Sequence, residues 1–101
     1  MLQRKLVRDK IGERDNESIT VLPKWAGTWA LTEKLWEETG ELVHSGWRDP
    51  AEYADVIEVL KEIARRHGVD WDDVEAERQR KHEEFGGFTM NRMLIMARED
   101  R

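Results

Sequence analysis

Apolar residues along this chain recur at helical spacing in three blocks. Between Lys24 and His44, Trp25, Trp29, Trp36 and Val43 fall near one line when each residue turns about 100°. Leu31, Leu35 and Leu42 make a second stripe beside it. The pattern predicts a helix over 24–44 with a broad apolar surface. Ser45 to Pro50 reads as a helix stop, a turn and a helix start, with Asp49 as N-cap and Pro50 at the first helical position. A second helix is expected over 50–66, with Val56, Ile57, Leu60, Ile63 and Ala64 on its buried face and the acids opposite. Gly68 supplies a C-cap and Asp70 caps a third helix running to about Glu84. After the break at Gly86 and Gly87, residues 90–98 suggest a final short helix with Met90, Met93 and Leu94 available for packing. Residues 12–23 read as a loop, and residues 4–11 as an extended arm or a single helical turn. No internal repeat is present.

These elements make an all-α fold in one domain over residues 1–101. A chain of 101 residues has little interior, so a small bundle completed by oligomerisation is expected. Five tryptophans fit a folded chain, and at helical spacing they read as core or subunit interface rather than a base-stacking platform. The absence of Cys excludes disulfides, thiolate metal sites and a cysteine nucleophile. It suits the cytoplasm, as does the lack of an apolar run long enough for a signal peptide or a membrane span of roughly 20 residues. A net charge of −5 gives no basic excess for binding a nucleic-acid polymer.

The acids are not evenly spread. Glu37, Glu38 and Glu41 stand in the first helix, and Glu52 and Asp55 in the second. Carboxylates three residues apart share a helix face, and two such helices side by side would aim four at one point. An all-oxygen cage of that kind suits a hard cation such as Mg²⁺, with Mn²⁺ as a second candidate. Glu58 would extend the cage. Two plainer roles compete for these residues: a solvated acidic surface and, for Glu52, third in its helix, a capping-box acid. Glu62 reads as surface. Basic residues flank the acids: Arg8 and Lys10 on the arm, Lys34 in the first helix, Arg78 and Lys81 in the third. They are a solvated arm and snorkelling side chains, or contacts for anionic phosphates. Gly40, inside the first helix, permits the close approach of a neighbouring helix or a ligand, or has no role. The chain has no phosphate-binding loop of the Walker type. His44, His67 and His82 make no zinc pattern.

The order KLVRDKI, KLWEETGE, EYADVIEVL and RQRKHEEFGGF resembles the MazG-like all-α nucleotide pyrophosphohydrolases, in particular the small branch similar to phosphoribosyl-ATP pyrophosphohydrolase. The resemblance covers residues 5–88. It implies a bundle of four-helix type, a homodimer or homotetramer, that cleaves a nucleoside triphosphate between its α and β phosphates with Mg²⁺. It implies Glu38, Glu41, Glu52 and Asp55 as metal ligands, Glu37 as an outer ligand or the base for water, and Glu58 as an extension of the cage. Arg8, Lys10 and Lys81 would contact phosphates, with Lys34 and Arg78 as further candidates. Two departures bear on substrate choice: residues 12–23 match weakly, and Phe85 precedes Gly86–Gly87 where an Arg is more usual. A phosphoribosyl-ATP or signalling-nucleotide hydrolase stays within this reading. A catalytically idle bundle that binds a partner through its Trp and Met faces is the alternative outside it.

Overall fold

The computed structural model describes residues 3–97. Its helices are α1 (Lys24–His44), α2 (Pro50–Arg66) and α3 (Trp71–Phe85), and no strand occurs among the described residues. No helix there is long and apolar enough to cross a membrane. The chain divides into two compact units, residues 1–71 and 72–101.

In the first unit α1 and α2 form a helical hairpin. Gly46, at φ 75°, ends α1: Gly46 N donates to Val43 O at 3.0 Å and Trp47 N to Leu42 O at 3.1 Å. This left-handed cap is cheap for glycine. Trp47 follows at φ 64°, where a bulky residue is uncommon, and its carbonyl accepts a bond from Tyr53 Oη at 3.1 Å. Asp49 then caps α2, its Oδ1 accepting from Ala51 N at 2.9 Å, with Pro50 beginning the helix. The second cap repeats the first, with Gly68 at φ 70° and Val69 N donating to Ala64 O.

The hairpin core is Leu31, Leu42 and Val59. Gly27 is buried as well, and a methyl there would run into Arg66 Nη1 on α2. The start of α1 thus lies against the end of α2. The N-terminal arm crosses the hairpin without regular structure. Arg4 reaches Glu33 of α1 at 3.5 Å, and Arg8 reaches Asp55 of α2 at 2.6 Å.

The inward face of α2 is rotated from the sequence expectation. Val59 is its buried residue, Glu52, Asp55, Val56, Glu62 and Ile63 are half-buried, and Ile57 and Leu60 are exposed. Glu52, Asp55 and Glu62 therefore share the packed face instead of opposing it, while Glu58 is exposed as expected, and Val56, Ile63 and Ala64 keep their expected side. Glu62 is not plain surface: it binds Arg65 and Arg66, each at 2.7 Å, and these bonds pull its carboxyl down to about 2. The tryptophans do not enter the chain's own core. Trp25 is 84% exposed, and Trp29 and Trp36 meet edge to face at 6.2 Å on the surface.

In the second unit α3 buries none of its own residues and carries ladders of ion pairs, Glu75 with Arg78 and Arg80 with both Glu77 and Glu84. The short helix expected over 90–98 is absent from the described residues 90–97; Arg98 lies outside them. Gly86 at φ 81° and Asn91 at φ 52° interrupt any helical run. A segment this short also gains too little from propensity alone to stay helical. The described residues thus form three helices rather than the four of the expected bundle.

Candidate metal centre

The acids of α1 are placed by a stripe of inward residues. Leu31, Glu38 and Leu42 are all buried, seven and four residues apart. Holding Leu31 and Leu42 in the core forces Glu38 inward between them. Glu38 is only 7% exposed. Glu41, one helical step on, is exposed at the edge of the same face. On α2, Glu52 lies seven residues before the buried Val59 and turns in with it.

Glu38, Glu41 and Glu52 offer carboxylate oxygens that all lie within 4.8 Å of one another. Two oxygens in this group, Glu38 Oε2 and Glu52 Oε2, are buried with no hydrogen-bond partner. Buried polar atoms are normally satisfied, so an orphaned oxygen on each of two clustered carboxylates leaves acceptors that a cation would fill. Burial first, then the charges of Glu41 and Asp55, raise the Glu52 carboxyl above its ordinary value. The capping of α2 falls to Asp49 and not to Glu52, whose carboxylate joins the cluster.

Lys34 is the positive charge inside this group. Its Nζ sits 3.1 Å from Glu38 Oε1 and 3.2 Å from Glu37 Oε2. Burial pulls its ammonium down, but the bonds from Glu38 and Glu37 outweigh this and the net shift is upward. One ammonium satisfies one oxygen of each partner. It leaves Glu38 Oε2 orphaned, so the cluster still fits a cation. The donor set is all oxygen, which selects a hard ion such as Mg²⁺, Mn²⁺ or Ca²⁺ and disfavours soft ones.

Other residues expected at the site have different surroundings. Asp55 is half-buried and faces Arg8, which also lies 3.7 Å from Glu58. Asp55 and Glu58 are thus engaged by the arm. Lys10 is exposed in a turn of that arm. Arg78 and Lys81 belong to the second unit, where Arg78 pairs with Glu75 at 3.1 Å and Lys81 lies near Glu77.

An open cleft of about 540 Å³ adjoins the cluster, lined by Glu37, Gly40, Glu41, His44, Ser45 and Glu52. Sequence reasoning did not assign His44 or Ser45 to the site. Their signal was available: Glu37, Gly40, Glu41 and His44 recur at helical steps along one face of α1. Gly40 costs its helix about 1 kcal/mol against Ala. A Cβ at Gly40 would meet nothing within 4 Å, so no neighbouring helix of this chain requires the glycine.

Comparisons with protein-family models, with curated proteins and with solved structures return no match.

Proposed function

We propose that this chain is a divalent-cation-dependent hydrolase that splits a nucleoside triphosphate, or a related nucleotide, to the monophosphate and pyrophosphate. The reading rests above all on the pair of buried, unpartnered oxygens, Glu38 Oε2 and Glu52 Oε2, beside Glu41. Glu38, Glu41 and Glu52 would hold the cation, and Asp55 and Glu58 would extend the cage. The motif order from residue 5 to residue 88 supports a nucleotide as substrate. Bound there, a cation such as Mg²⁺ supplies charge against phosphate oxygens and lowers the pKa of water.

The chain's own residues then have distinct tasks. Lys34 holds Glu37 Oε2 at 3.2 Å and so fixes that carboxylate at the edge of the cleft. Glu37 Oε1 accepts the proton of the attacking water. The water oxygen bonds to the α phosphorus, the bond from that phosphorus to the bridging oxygen breaks, and pyrophosphate departs. Arg8, held on Asp55 in the free protein, exchanges that carboxylate for a phosphate. Lys10, on the same arm, is the further candidate for phosphate contact.

Pyrophosphate release tests the reading. The panel holds the common nucleoside triphosphates, phosphoribosyl-ATP and signalling nucleotides, each with Mg²⁺. The wild type is expected to release pyrophosphate from at least one, and Glu41→Gln and Asp55→Asn to lose most of that rate. No release from any of them, with the variants folded, sinks the proposal. The exposed tryptophans favour a second reading, a catalytically idle module that docks a partner through them. That reading predicts no turnover at all.

A further inference from the structure

The cleft beside the carboxylates has acidic walls, Glu37, Glu41 and Glu52, and a floor without a side chain at Gly40. Its far end is His44 and Ser45, one turn beyond the floor. Gly40 sits mid-helix, where glycine is unfavourable, and no packing in the chain explains it. The contrast with Gly27 is direct: there Arg66 of α2 occupies the space a methyl would need. At Gly40 the same space opens into the cleft. A side chain there would stand between Glu37 and His44 and take up space in the cleft. The cleft, about 540 Å³ and open to solvent, has room for a sugar and base lying along α1. Its acidic walls repel a free anion, so its occupant must arrive with its negative end neutralised at the cluster.

We propose that this cleft is the seat of the nucleoside end, the sugar and base, of the cation-bound nucleotide. Residue 40 is glycine to keep that seat open. This rests on the function proposed above and adds where the substrate lies and which residues select it. Gly40 sets the depth of the seat and His44 offers its ring to the sugar or base. The orientation follows from the cleft's layout: the phosphate end lies at Glu38, Glu41 and Glu52, and the organic end extends along α1 toward His44.

The test compares wild type with Gly40→Ala and Gly40→Leu. Four readouts are needed: melting temperature, Mn²⁺ binding, binding of inorganic triphosphate with Mn²⁺, and binding of α,β-methylene nucleoside triphosphates with Mn²⁺. Gly40→Ala is expected to melt above wild type, since the glycine costs the helix stability. Gly40→Leu is expected to bind Mn²⁺ and inorganic triphosphate like wild type and to lose at least about tenfold in nucleotide affinity. If Gly40→Leu does not fold, His44→Ala carries the same comparison, with nucleotide affinity falling and triphosphate affinity unchanged. Wild-type nucleotide affinity in Gly40→Leu overturns the seat. Equal loss of triphosphate and nucleotide also overturns it, because the effect would then lie at the cation. A changed assembly mass with unchanged nucleotide binding assigns the glycine to contact with a second copy and overturns it as well. These outcomes presuppose a wild type that binds Mn²⁺ and nucleotide. A wild type that binds neither overturns both the seat and the function beneath it.

Discussion

A buried polar oxygen without a hydrogen-bond partner is costly, and Glu38 and Glu52 each keep one beside the carboxylate of Glu41. In the free protein this cluster opposes folding. Burial and the neighbouring acids raise the Glu52 carboxyl, so its charged form is disfavoured in the fold. The sign follows: stability gained from its protonation is fully present below the unfolded value and is lost as pH rises through the higher folded one. Two results are expected in thermal melts. Without metal, Glu52→Gln melts above wild type at about pH 7.5, and gains less than wild type as the pH falls through the raised value of Glu52. With saturating Mg²⁺ or Mn²⁺ the order reverses, because wild type alone gains the ligand's stabilisation. At 100 times the dissociation constant that gain is about 2.7 kcal/mol, several degrees in melting temperature. The metal-induced rise shrinks as protons compete at lower pH.

Among the elements, the three helices and their ends were legible in the sequence, as was the Leu31–Leu42 stripe of α1, while the inward face of α2 was legible only in part. Aspartate and proline at the start of α2, and glycine just past α1 and α2, are local signals that act through backbone geometry alone. Which face turns inward depends on the partner helix. The rule that acids face water placed Ile57 and Leu60 inside and Glu52 and Asp55 outside, and the packing is otherwise. The site was legible as spacing: an E-x-x-E pair on one helix and an acid on the next bring Glu38, Glu41 and Glu52 together. Asp55 instead meets Arg8, a contact 47 residues apart that no local pattern encodes. The expected helix over 90–98 had apolar residues at suitable steps, but Met90, Met93 and Leu94 remain exposed and lend it no packed face. The small core makes the hairpin sensitive to single deletions. Leu31→Ala should cost about 2–5 kcal/mol in denaturant unfolding, enough to lose much of the marginal stability of so small a unit. A cost near zero would mean that Leu31 does not anchor α1 on α2.

For the molecule as a whole, the balance of buried and exposed apolar residues is unusual. Among the described residues three hydrophobic side chains are buried, while Trp25, Trp29, Trp36, Val43, Ile57 and Leu60 on the hairpin are exposed. So much apolar surface on a charged chain favours association. We therefore expect a homodimer or homotetramer that covers these faces, with Trp29 in the contact. Sedimentation equilibrium should give at least twice the chain mass of 12.0 kDa for wild type and a lower mass for Trp29→Glu. A wild type that sediments at one chain mass would leave the tryptophans to a different partner.

The activity and the nucleoside seat proposed for this chain depend on Glu38, Glu41 and Glu52 forming a cation site. Calorimetric titration of the purified chain with Mn²⁺, beside Glu38→Gln and Glu41→Gln, decides whether they do. Saturable binding by wild type that is lost or greatly weakened in both variants, with their folds intact, is the expected outcome. No saturable binding by wild type, or binding that both variants retain in full, would refute the site.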